Sequence, residues 1–470
     1  MSSVLPVIYF LSFSFLGVLR VLGGKNLFKS RTIKLKFEVK AGGKLTGTFR
    51  VPGDKSISHR SIMLGSLAEG VTHVTGFLEG EDSLATLNAF RAMGVNIEGP
   101  TNGKVTINGV GLHGLKKPDK DLDVGNSGTS IRLLSGLLSG QSFSSTMVGD
   151  ASLNTRPMRR VTVPLAQMNA QVDSNDDGTP PLHVKGGGSL KGFDYEMPVA
   201  SAQVKSCLLL AGLYADGETC VTEPAPTRDH TERMLRGLGY EVNTNGNKIC
   251  LKGGGKLIAT NIDVPSDISS ATFYIVGATI AEGSDITLEH VGINPTRIGV
   301  INILNLMGAD ITVTNEREVG GEPVADIQVR SAKLKGIQIP EDQVPLAIDE
   351  FPAIFIAAAC AEGVTTLTGA KELRVKESDR IQVMADGLVT LGIDAKPTED
   401  GIVITPNGKE NPFETGTVAS HGDHRIAMSF SMAALRASGT INITDCANVN
   451  TSFPGFVELA KNSGLNIKTN

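Results

Sequence analysis

The chain contains few cysteines, and their spacing excludes the usual cysteine-based sites. There are five in 470 residues, an odd number, and no two form a Cys-x-x-Cys pair. A zinc site or a disulfide framework needs closer and more regular spacing. We therefore expect reduced, buried thiols in an intracellular protein at Cys207, Cys220, Cys250, Cys360 and Cys446.

Several familiar catalytic and nucleotide-binding motifs are also missing. The sequence has no His-Glu-x-x-His, no Gly-x-Ser-x-Gly and no EF-hand loop. Gly125-Asn126-Ser127-Gly128-Thr129 resembles a phosphate-binding nest, but it lacks the Gly-Lys-Ser/Thr ending of a P-loop. A Gly-x-Gly-x-x-Gly does occur at Gly109–Gly114, but no helix is predicted directly after it, so a nucleotide-binding fold is poorly supported.

A positive charge excess is absent as well. The formal net charge is −5, which argues against a nucleic-acid groove over much of the surface. Basic residues within motifs are therefore local features on a mildly acidic background. With 40% hydrophobic and 20% charged residues, the composition is that of an ordinary globular protein.

Residues 1–31 differ from the rest and are treated as a leader of uncertain role. Val4 to Leu19 is almost wholly apolar, which is short for a membrane span, and no basic residue precedes it. The first acidic residue is Glu38, and five basic residues come between Arg20 and that position. An organelle transit peptide, a poorly ordered extension and an upstream start codon all remain open.

The stretch from Pro52 to Arg60 is the first positive signal. Pro-Gly-Asp-Lys-Ser-Ile-Ser-His-Arg combines a glycine turn, N-capping residue types and two cations ahead of an apolar run. Such a turn opening a helix predicts an anion site, because free backbone N–H groups and the helix dipole face the ligand. The alternative is a solvated surface turn.

A unit that repeats six times organises the chain. Each copy has an apolar helix, a glycine, a β-branched strand, a polar loop, a second helix and a short strand. The glycines are Gly70, Gly140, Gly217, Gly283, Gly363 and Gly439. The apolar helices are hydrophobic nearly all round and should be buried, for example at 131–138, 207–213, 271–280 and 353–361.

Six units predict an α/β protein of two domains, each with three units around buried helices. Proline interrupts the chain near Val51-Pro52 and Pro265-Ser266. We place the first domain at residues 53–265 and the second at 33–52 plus 266–470. The strand Leu35–Val39 then joins the C-terminal half, and two connections form a hinge beside a cleft.

The loop between strand and second helix carries the unusual residues in each unit. Four of these loops place an arginine at a helix entrance, where a cation opposes the helix dipole. They are Arg156, Arg228, Arg297 and Arg380. Binding of an anionic ligand would explain why arginines occupy these helix entrances. The alternative is that the arginines form ion pairs with Asp229, Glu232 and Asp379. A short polar stretch, which we call a polar island, precedes each apolar helix. Helix capping is the simplest explanation of these stretches.

Taken together, these motifs resemble the 5-enolpyruvylshikimate-3-phosphate synthase family, class II, over roughly residues 33–470. Four patterns carry the resemblance: Asp54-Lys55-Ser56, Ser201-Ala202-Gln203-Val204-Lys205, Arg228 with Arg233, and Asn294-Pro295-Thr296-Arg297. Arg374–Arg380 and Asp423–Arg425 add to them. The resemblance implies an enolpyruvyl transferase fold: an inside-out α/β barrel of two domains, each of three βαβαββ units around buried parallel helices.

The implied activity is that of a 3-phosphoshikimate 1-carboxyvinyltransferase. It moves the enolpyruvyl group of phosphoenolpyruvate to the 5-hydroxyl of shikimate 3-phosphate and releases phosphate. Two small polyanions are therefore the expected partners, without a metal, an organic cofactor, nucleic acid or a membrane. We expect a cytoplasmic monomer, or a plastid protein if the leader is a transit peptide.

The resemblance also implies roles for individual residues. The expected catalytic residues are Asp349 as base at the hydroxyl, Glu377 as proton donor, and Lys55. Shikimate 3-phosphate is expected at Lys55, Ser56, Arg60, Ser201, Ala202, Gln203, Arg228, Asp349 and Lys376. Phosphoenolpyruvate is expected at Lys55, Gly128, Arg156, Gln203, Arg380 and Arg425. The alternatives are N-capping by Asp349, and an ion pair of Glu377 with Lys376 or Arg380.

Two positions depart from the family's common pattern. Many members have a lysine just before the last Phe-Pro, where this chain has Thr451-Ser452, so one phosphoenolpyruvate contact is missing or replaced. Some members that tolerate glyphosate, an anionic mimic of phosphoenolpyruvate, have alanine where this chain has Gly128. Glyphosate tolerance is therefore left open.

Two rival functions remain at the level of sequence. The sister enzyme that acts on UDP-N-acetylglucosamine typically has Lys-Asn at Lys55-Ser56, and a cysteine in a mobile loop. No cysteine precedes Cys207, which argues against it. A non-catalytic protein that binds anions or RNA phosphates would need the cations but not Asp349 or Glu377.

Overall fold

The computed structural model of the chain describes residues 35–470. The leader proposed at residues 1–31 lies outside this part. Within it, no helix is both long and apolar enough to cross a membrane.

Twelve α-helices are found between residues 35 and 470. They are α1 Lys55–Leu67, α2 Glu81–Ala92, α3 Gly128–Ser139, α4 Arg159–Gln167, α5 Ala202–Gly212, α6 His230–Gly237, α7 Ile268–Ile280, α8 Gly299–Leu306, α9 Phe351–Ala359, α10 Arg380–Thr390, α11 His424–Ala433 and α12 Phe456–Ser463. Short 3₁₀ turns precede several of them, including Leu153–Thr155 and Lys371–Val375.

Twenty-four strands accompany these helices. They are β1 Phe37–Val39, β2 Thr46–Phe49, β3 Ala68–Thr75, β4 Asn96–Thr101, β5 Lys104–Val110, β6 Leu122–Asp123, β7 Ser145–Val148, β8 Gln171–Asp173, β9 Leu182–Lys185, β10 Asp194–Glu196, β11 Glu218–Thr222, β12 Asn243–Asn245, β13 Lys248–Lys252, β14 Leu257–Ile258, β15 Ile262–Asp263, β16 Asp285–Gly292, β17 Asp310–Val319, β18 Glu322–Arg330, β19 Thr365–Leu367, β20 Asp394–Pro397, β21 Ile402–Thr405, β22 Gly416–Ala419, β23 Ile441–Thr444 and β24 Ile467–Thr469.

The strands form six small sheets, one for each predicted unit. The sheet orders are β14-β3-β5-β4 with β15 also on β3, β6-β7-β9-β8, β10-β11-β13-β12, β17-β18-β16-β2, β19-β21-β20 and β22-β23-β1-β24. Each unit consists of a helix, a strand, a second helix and one or more further strands. The prediction that this unit occurs six times is therefore confirmed. Five of the sheets include a parallel pair, while β19-β21-β20 is wholly antiparallel.

The first described strand, β1, lies in the sheet of the last unit, which agrees with the prediction that it joins the C-terminal half. Val39 pairs with Ile441 of β23 on one side and with Ile467 of β24 on the other, both antiparallel. The first and last strands of the described residues therefore lie in the same sheet.

The odd-numbered helices are the buried ones. Every residue of α7 and α9 is buried, and α1 is buried from Ile57 to Leu67. In the second half of the chain α7, α9 and α11 contact one another, and in the first half α3 contacts both α1 and α5. Helices that are apolar on all sides need this surrounding by other elements.

Two separate clusters of buried hydrophobic side chains result. One extends from Ile57 to Val264, and the other combines 37–51 with 268–467. We call these parts the first half and the second half. The domain boundaries at residues 53–265 and at 33–52 plus 266–470 stay a prediction, which the two clusters support.

The two chain crossings between the halves lie side by side. Gly53 and Ser266 form an antiparallel bridge. The Asp54 N–H donates to the Pro265 carbonyl at 2.7 Å, and the Asp267 N–H donates to the Pro52 carbonyl at 2.9 Å. Beyond each crossing a buried helix begins, α1 in the first half and α7 in the second.

The expectation of five reduced thiols is wrong for two cysteines. Cys220 of β11 and Cys250 of β13 face each other in antiparallel register and form a disulfide. The sequence did not reveal this disulfide, because the two cysteines are 30 residues apart and only the pairing of β11 with β13 brings them together. Cys207 and Cys446 are free and buried, and Cys360 is free and partly exposed.

The contact between α3 and α5 allows no side chain at Gly136. A Cβ atom there would lie 1.9 Å from the Cys207 carbonyl oxygen. We expect Gly136→Ala to lower the free energy of unfolding by about 1–3 kcal/mol, because close-packed backbone must separate. Urea unfolding measures the change.

Gly237, in α6, is the matched control. The nearest atom to a Cβ there is the Gly320 carbonyl oxygen at 3.7 Å. Gly237→Ala should be neutral or stabilise the protein by up to about 1 kcal/mol, since alanine favours helix. Equal losses in both variants would contradict the close packing of α3 on α5.

Candidate active site

One cleft of about 360 Å³ is lined by all the predicted site residues of both halves except Arg60. Its lining includes nine Lys or Arg and five Asp or Glu side chains, on a chain whose net charge is −5. The cations are Lys55, Arg132, Arg156, Arg160, Arg228, Arg297, Lys376, Arg380 and Arg425, and the acids are Asp82, Asp267, Asp349, Glu372 and Glu377. The cleft is thus a local concentration of positive charge.

Helix N-termini of the first half point their first residues into this cleft. Lys55 and Ser56 open α1, Gly128 opens α3, and Ser201 caps α5. Unpaired N–H groups and the positive end of each helix dipole therefore lie close to the cationic side chains. This arrangement favours an anion.

The second half contributes its residues from equivalent places. Asp349 lies just before α9, Arg380 is the first residue of α10, and Arg425 is the second residue of α11. Lys376 and Glu377 follow the 3₁₀ turn Lys371–Val375. The repeat thus brings the same part of several units to one place.

Helix capping accounts for part of the polar islands, as predicted. Asp54, Ser127, Ser201, Asp267 and Asp423 accept backbone N–H groups at the starts of α1, α3, α5, α7 and α11. Asp349 does not cap α9, whose cap position is Glu350 without a side-chain hydrogen bond. The capping alternative for Asp349 is therefore wrong.

Asp349 lies among four cations. Its carboxylate pairs with Arg228, with Arg380 at 3.1 Å and with Lys376 at 3.4 Å, and its carbonyl accepts from Arg425 at 3.0 Å. Burial alone would raise the pKa of Asp349, but these cations outweigh it and hold that pKa well below the usual range. The carboxylate is ionised at neutral pH.

Glu377 is held in a similar way by arginines. It pairs with Arg380 at 2.6 Å and lies 3.9 Å from Arg156 across the cleft. Burial would raise the pKa of Glu377, but Arg380 and then Arg156 hold it well below the usual range. The ion pair with Arg380 was the alternative reading of Glu377, and it is present.

Arg380 joins these two carboxylates. Its guanidinium is 1% exposed, and its Nη1 and Nη2 atoms contact Asp349 and Glu377 respectively. Its Nε donates to the Asp423 carboxylate at 2.9 Å. One rigid, planar group therefore sets the spacing of the predicted base and the predicted proton donor.

Lys55 reaches the loop where many family members have an extra lysine. Its Nζ pairs with Asp82 and donates to the Ser452 hydroxyl at 2.9 Å. Thr451 is buried and donates to the Asn448 carbonyl at 2.7 Å. At this place the chain has the Ser452 hydroxyl, which accepts from Lys55, and the expectation that one phosphoenolpyruvate contact is missing or replaced stays a prediction.

Two cleft residues near Gly128, Thr129 and Arg132, were not among the predicted site residues. Arg132 donates to the Gln203 side-chain oxygen at 2.6 Å, and Gln203 donates to Thr129 at 3.1 Å. Burial first, and then Arg160 and Arg156, lower the pKa of Arg132 to about 10. Arg132 lies in α3, one helical turn after Gly128, and this spacing from a predicted site residue was the available signal.

Arg160 and His424 also line the cleft without having been selected. Arg160 lies 3.5 Å from Glu372 across the cleft. Burial, Arg425 and Lys55 lower the pKa of His424 to about 3, in spite of Asp423. The imidazole is therefore neutral at physiological pH.

Arg60 does not line the cleft. It is 4% exposed, and it donates to Thr231, to the Ser56 carbonyl and to Ser206. The predicted contact of Arg60 with shikimate 3-phosphate stays a prediction, and its position behind Ser56 does not favour it. Lys205 is likewise buried, between Glu223 at 2.9 Å and Glu232 at 2.7 Å.

Two loop arginines other than the four at helix entrances form ion pairs within their own loops, while Arg156, Arg228, Arg297 and Arg380 all line the cleft. Arg233 pairs with Asp229 at 2.8 Å, and Arg374 pairs with Asp379 at 2.6 Å. Arg156 instead reaches Asn126 at 2.6 Å inside the cleft. The loop arginines therefore divide into structural and cleft-lining residues.

The described residues contain one group whose positions suit a metal ion, outside the cleft. It consists of Glu218, Cys220 and Cys250. Both sulfur atoms are bonded to each other, so they offer no thiolate ligands.

Comparison with known proteins gives one family. Residues 39–459 match the family model of EPSP synthase (3-phosphoshikimate 1-carboxyvinyltransferase). A 3-phosphoshikimate 1-carboxyvinyltransferase of Methylococcus capsulatus is 68% identical over 432 residues, or 92% of this chain and 98% of that protein. One from Alkalilimnicola ehrlichii is 68% identical over 431 residues, which cover 92% and 96%.

Solved structures agree with this result. An EPSP synthase from Acinetobacter baumannii has a TM-score of 0.85 and 65% identity, covering 93% of this chain and 100% of that one. The enolpyruvyl transferase NikO from Streptomyces tendae has a TM-score of 0.76 at 16% identity, covering 93% and 99%. NikO supports the fold alone, and the predicted enolpyruvyl transferase fold is confirmed.

The buried carboxylates around Arg380 predict a pH-dependent stability. Arg380→Met leaves Asp423, Glu377 and Asp349 without their shared cation, so unfolding should become easier by about 3–5 kcal/mol at pH 7. In the variant, the burial of Asp423 is no longer offset by Arg380, so the pKa of this carboxyl group rises above its value in the unfolded chain, and protonation as pH falls from 7 to 5 relieves the unpaired buried charge. The difference from wild type should therefore shrink at pH 5, in urea unfolding at both pH values.

Arg330→Met provides the control, since Arg330 pairs with Asp285 at 3.2 Å on the surface. That change should cost less than about 1 kcal/mol at either pH. A loss that is the same at pH 7 and pH 5 in Arg380→Met would contradict the electrostatic explanation.

Proposed function

The chain belongs to the EPSP synthase (3-phosphoshikimate 1-carboxyvinyltransferase) family, and on that premise we propose how its cleft carries out the reaction. The enzyme transfers the enolpyruvyl group of phosphoenolpyruvate to the 5-hydroxyl of shikimate 3-phosphate, in the shikimate pathway. Both substrates are polyanions. A cleft with nine cations and five acids suits them better than a neutral ligand.

The chemistry needs a base and an acid in close proximity. The hydroxyl oxygen adds to carbon 2 of phosphoenolpyruvate and loses its proton, while the methylene carbon gains a proton. Phosphate then leaves, and a proton is removed from the new methyl group, which restores the double bond. Acid and base must therefore lie on neighbouring parts of one small reacting centre.

The attachment of Asp349 and Glu377 to a single guanidinium is the observation that carries this proposal. The Nη atoms of Arg380 lie 3.1 Å and 2.6 Å from the two carboxylates. A hydroxyl at Asp349 and a methylene at Glu377 would then lie within one substrate's length of each other. A binding protein has no need for this spacing.

Shikimate 3-phosphate belongs on the side of the cleft formed by α1 and α5. Ser201 and Ala202 begin α5, and Lys55 and Ser56 begin α1. Lys376 and Arg228 flank Asp349 and supply positive charge to the substrate phosphate. Gln203 lies between this side and the α3 side, through Arg132 and Thr129.

Phosphoenolpyruvate belongs between Gly128 and the arginines of both halves. Arg156 comes from the first half, and Arg380 and Arg425 come from the second. Lys55, held by Ser452 and Asp82, contacts both substrates. Its position at the start of α1 adds the helix dipole to its own charge.

Substrate charge adjusts both carboxyl groups for their roles. In the free cleft the cations hold the pKa values of Asp349 and Glu377 too low for efficient proton transfer. When phosphate and carboxylate groups neutralise Lys376, Arg156 and Arg380, both pKa values rise. Asp349 then becomes a stronger base, and Glu377 can hold the proton that it donates.

The two rival functions are less well supported. Relatives at 68% identity are carboxyvinyltransferases named for 3-phosphoshikimate, not for UDP-N-acetylglucosamine. A non-catalytic anion-binding protein leaves the paired acids unexplained. A cytoplasmic location and a monomeric state stay predictions.

Replacing Asp349 separates catalysis from binding. Asp349→Ala should lower phosphate release from the two substrates by about 10²–10⁴-fold, because the hydroxyl loses its base. Binding of shikimate 3-phosphate should persist, since Arg228 and Lys376 lose a competing anion. A coupled phosphate assay and titration calorimetry give the two quantities.

Asp394→Ala, on exposed β20, controls for the loss of an acid elsewhere in the second half and should leave both quantities unchanged. If the wild-type protein releases no phosphate from the two substrates, the proposed reaction is wrong. Equal turnover in Asp349→Ala and Asp394→Ala would refute the role of Asp349.

Gly128 predicts the response to glyphosate. A Cβ atom there would lie 3.1 Å from Arg156 Nη1 and 3.3 Å from Arg132 Nη1, inside the anion site. We expect Gly128→Ala to raise the inhibition constant of glyphosate more than the KM of phosphoenolpyruvate, because the added methyl crowds the inhibitor. Steady-state inhibition kinetics measure both constants, and equal increases would contradict the prediction.

A further inference from the structure

Arg297 occupies a buried position where both halves meet. It lies in the loop between β16 and α8 and is 3% exposed. Its Nη1 donates to Asp54 at 3.1 Å, and its Nη2 donates to Asp267 at 3.2 Å and to Ser269 at 2.7 Å. One guanidinium therefore contacts the first half through Asp54 and the second half through Asp267.

Asp54 and Asp267 have equivalent places in the two halves. Each follows one of the chain crossings, and each caps the buried helix that begins there. Asp54 accepts the Ile57 N–H at 2.8 Å for α1, and Asp267 accepts the Ser269 N–H at 2.8 Å for α7. Arg297 thus links the first turns of α1 and α7, next to the paired crossings.

These contacts continue directly to cleft residues. The Lys55 N–H donates to the Asp267 carboxylate at 3.3 Å, from one half to the other. Ser269 donates to Glu350, whose chain neighbour is Asp349. Two contacts therefore lead from Arg297 to Lys55, and two contacts followed by one peptide bond lead from Arg297 to Asp349.

The charge at this position requires a cation with two separate donors. Asp54 and Asp267 are both buried, and without Arg297 two like charges would face each other away from water. Burial would raise the pKa of Asp54, but Arg297 and His230 lower it to about 2. A lysine ammonium supplies the charge but not the planar fork that reaches both carboxylates.

We propose that Arg297 is a positioning residue for enolpyruvyl transfer, which sets the relative placement of α1 and α7 and so aligns Lys55 with Asp349 across the cleft. The inference rests on the function proposed above. It also explains why Asp54, the residue before Lys55, and Arg297 occur together in the sequence patterns, although 243 residues separate them.

Arg297→Lys tests this role. The first half supplies most of the expected contacts to shikimate 3-phosphate, so its dissociation constant should stay within about threefold of wild type. Enolpyruvyl transfer needs Lys55 of the first half aligned with Asp349 of the second half. The kcat should therefore fall by about 30-fold or more, and the KM of phosphoenolpyruvate should rise. Titration calorimetry and the phosphate assay give the split, and thermal unfolding monitors the fold.

Arg436→Lys is the matched control. Arg436 donates to the Ile280 and Glu410 carbonyls, at 2.7 Å and 2.9 Å, within the second half and away from the cleft. It should leave kcat within about twofold of wild type. Arg297→Lys with a kcat similar to that of Arg436→Lys would overturn the proposal, as would equal losses of kcat and shikimate 3-phosphate binding.

Asp54→Asn keeps the test decisive if Arg297→Lys does not fold. Asparagine retains the cap of α1 but loses the ion pair, so kcat should fall about tenfold with shikimate 3-phosphate binding retained. Unchanged kcat in a folded Asp54→Asn protein would overturn the proposal. An inactive wild type would instead reject the proposed reaction, so the two failures are distinguishable.

Discussion

The structure depends on keeping many positive charges together in one cleft before any substrate arrives. Helix N-termini and nine basic side chains face the same 360 Å³ space, and without compensation they would repel one another. Acidic side chains within the protein provide that compensation. Asp349 and Glu377 pair with Arg380, Asp82 pairs with Lys55, and Asp54 and Asp267 pair with Arg297.

These pairings have a consequence for catalysis. Acids that neutralise the empty cleft are ionised and strongly bound to cations, so they are poor at proton transfer in that state. In the reaction proposed here, polyanionic substrates compete for the same cations and release the acids as they bind. The proposal thus gives Asp349 and Glu377 two uses, charge compensation in the free protein and proton transfer in the complex.

The sequence was sufficient to predict the repeat, the six sheets and most of the cleft. Buried helices such as α7 are apolar on every side, and the turn glycines mark each unit, so local chemistry carries the pattern. Side-chain partners across long separations were not predictable. The Cys220–Cys250 disulfide depends on the register of two strands. The burial of Arg60 behind Ser56, outside the cleft lining, depends on the packing of α1 against α6. Arg132 was visible as part of a polar island, but its contact with Gln203 required the meeting of α3 and α5.

The repeat itself explains why the cleft lies where it does. In each unit the start of the buried helix lies next to the loop that precedes the second helix. Cleft residues from these two places are therefore neighbours within one unit. Three units around a buried core bring three such positions to one end of a half. Two halves joined by paired crossings then face each other with the same ends. The ion pairs beside those crossings, Arg297 with Asp54 and with Asp267, join the first turns of α1 and α7. The positioning role proposed for Arg297 thus connects the alignment of Lys55 and Asp349 to the place where the two halves are joined.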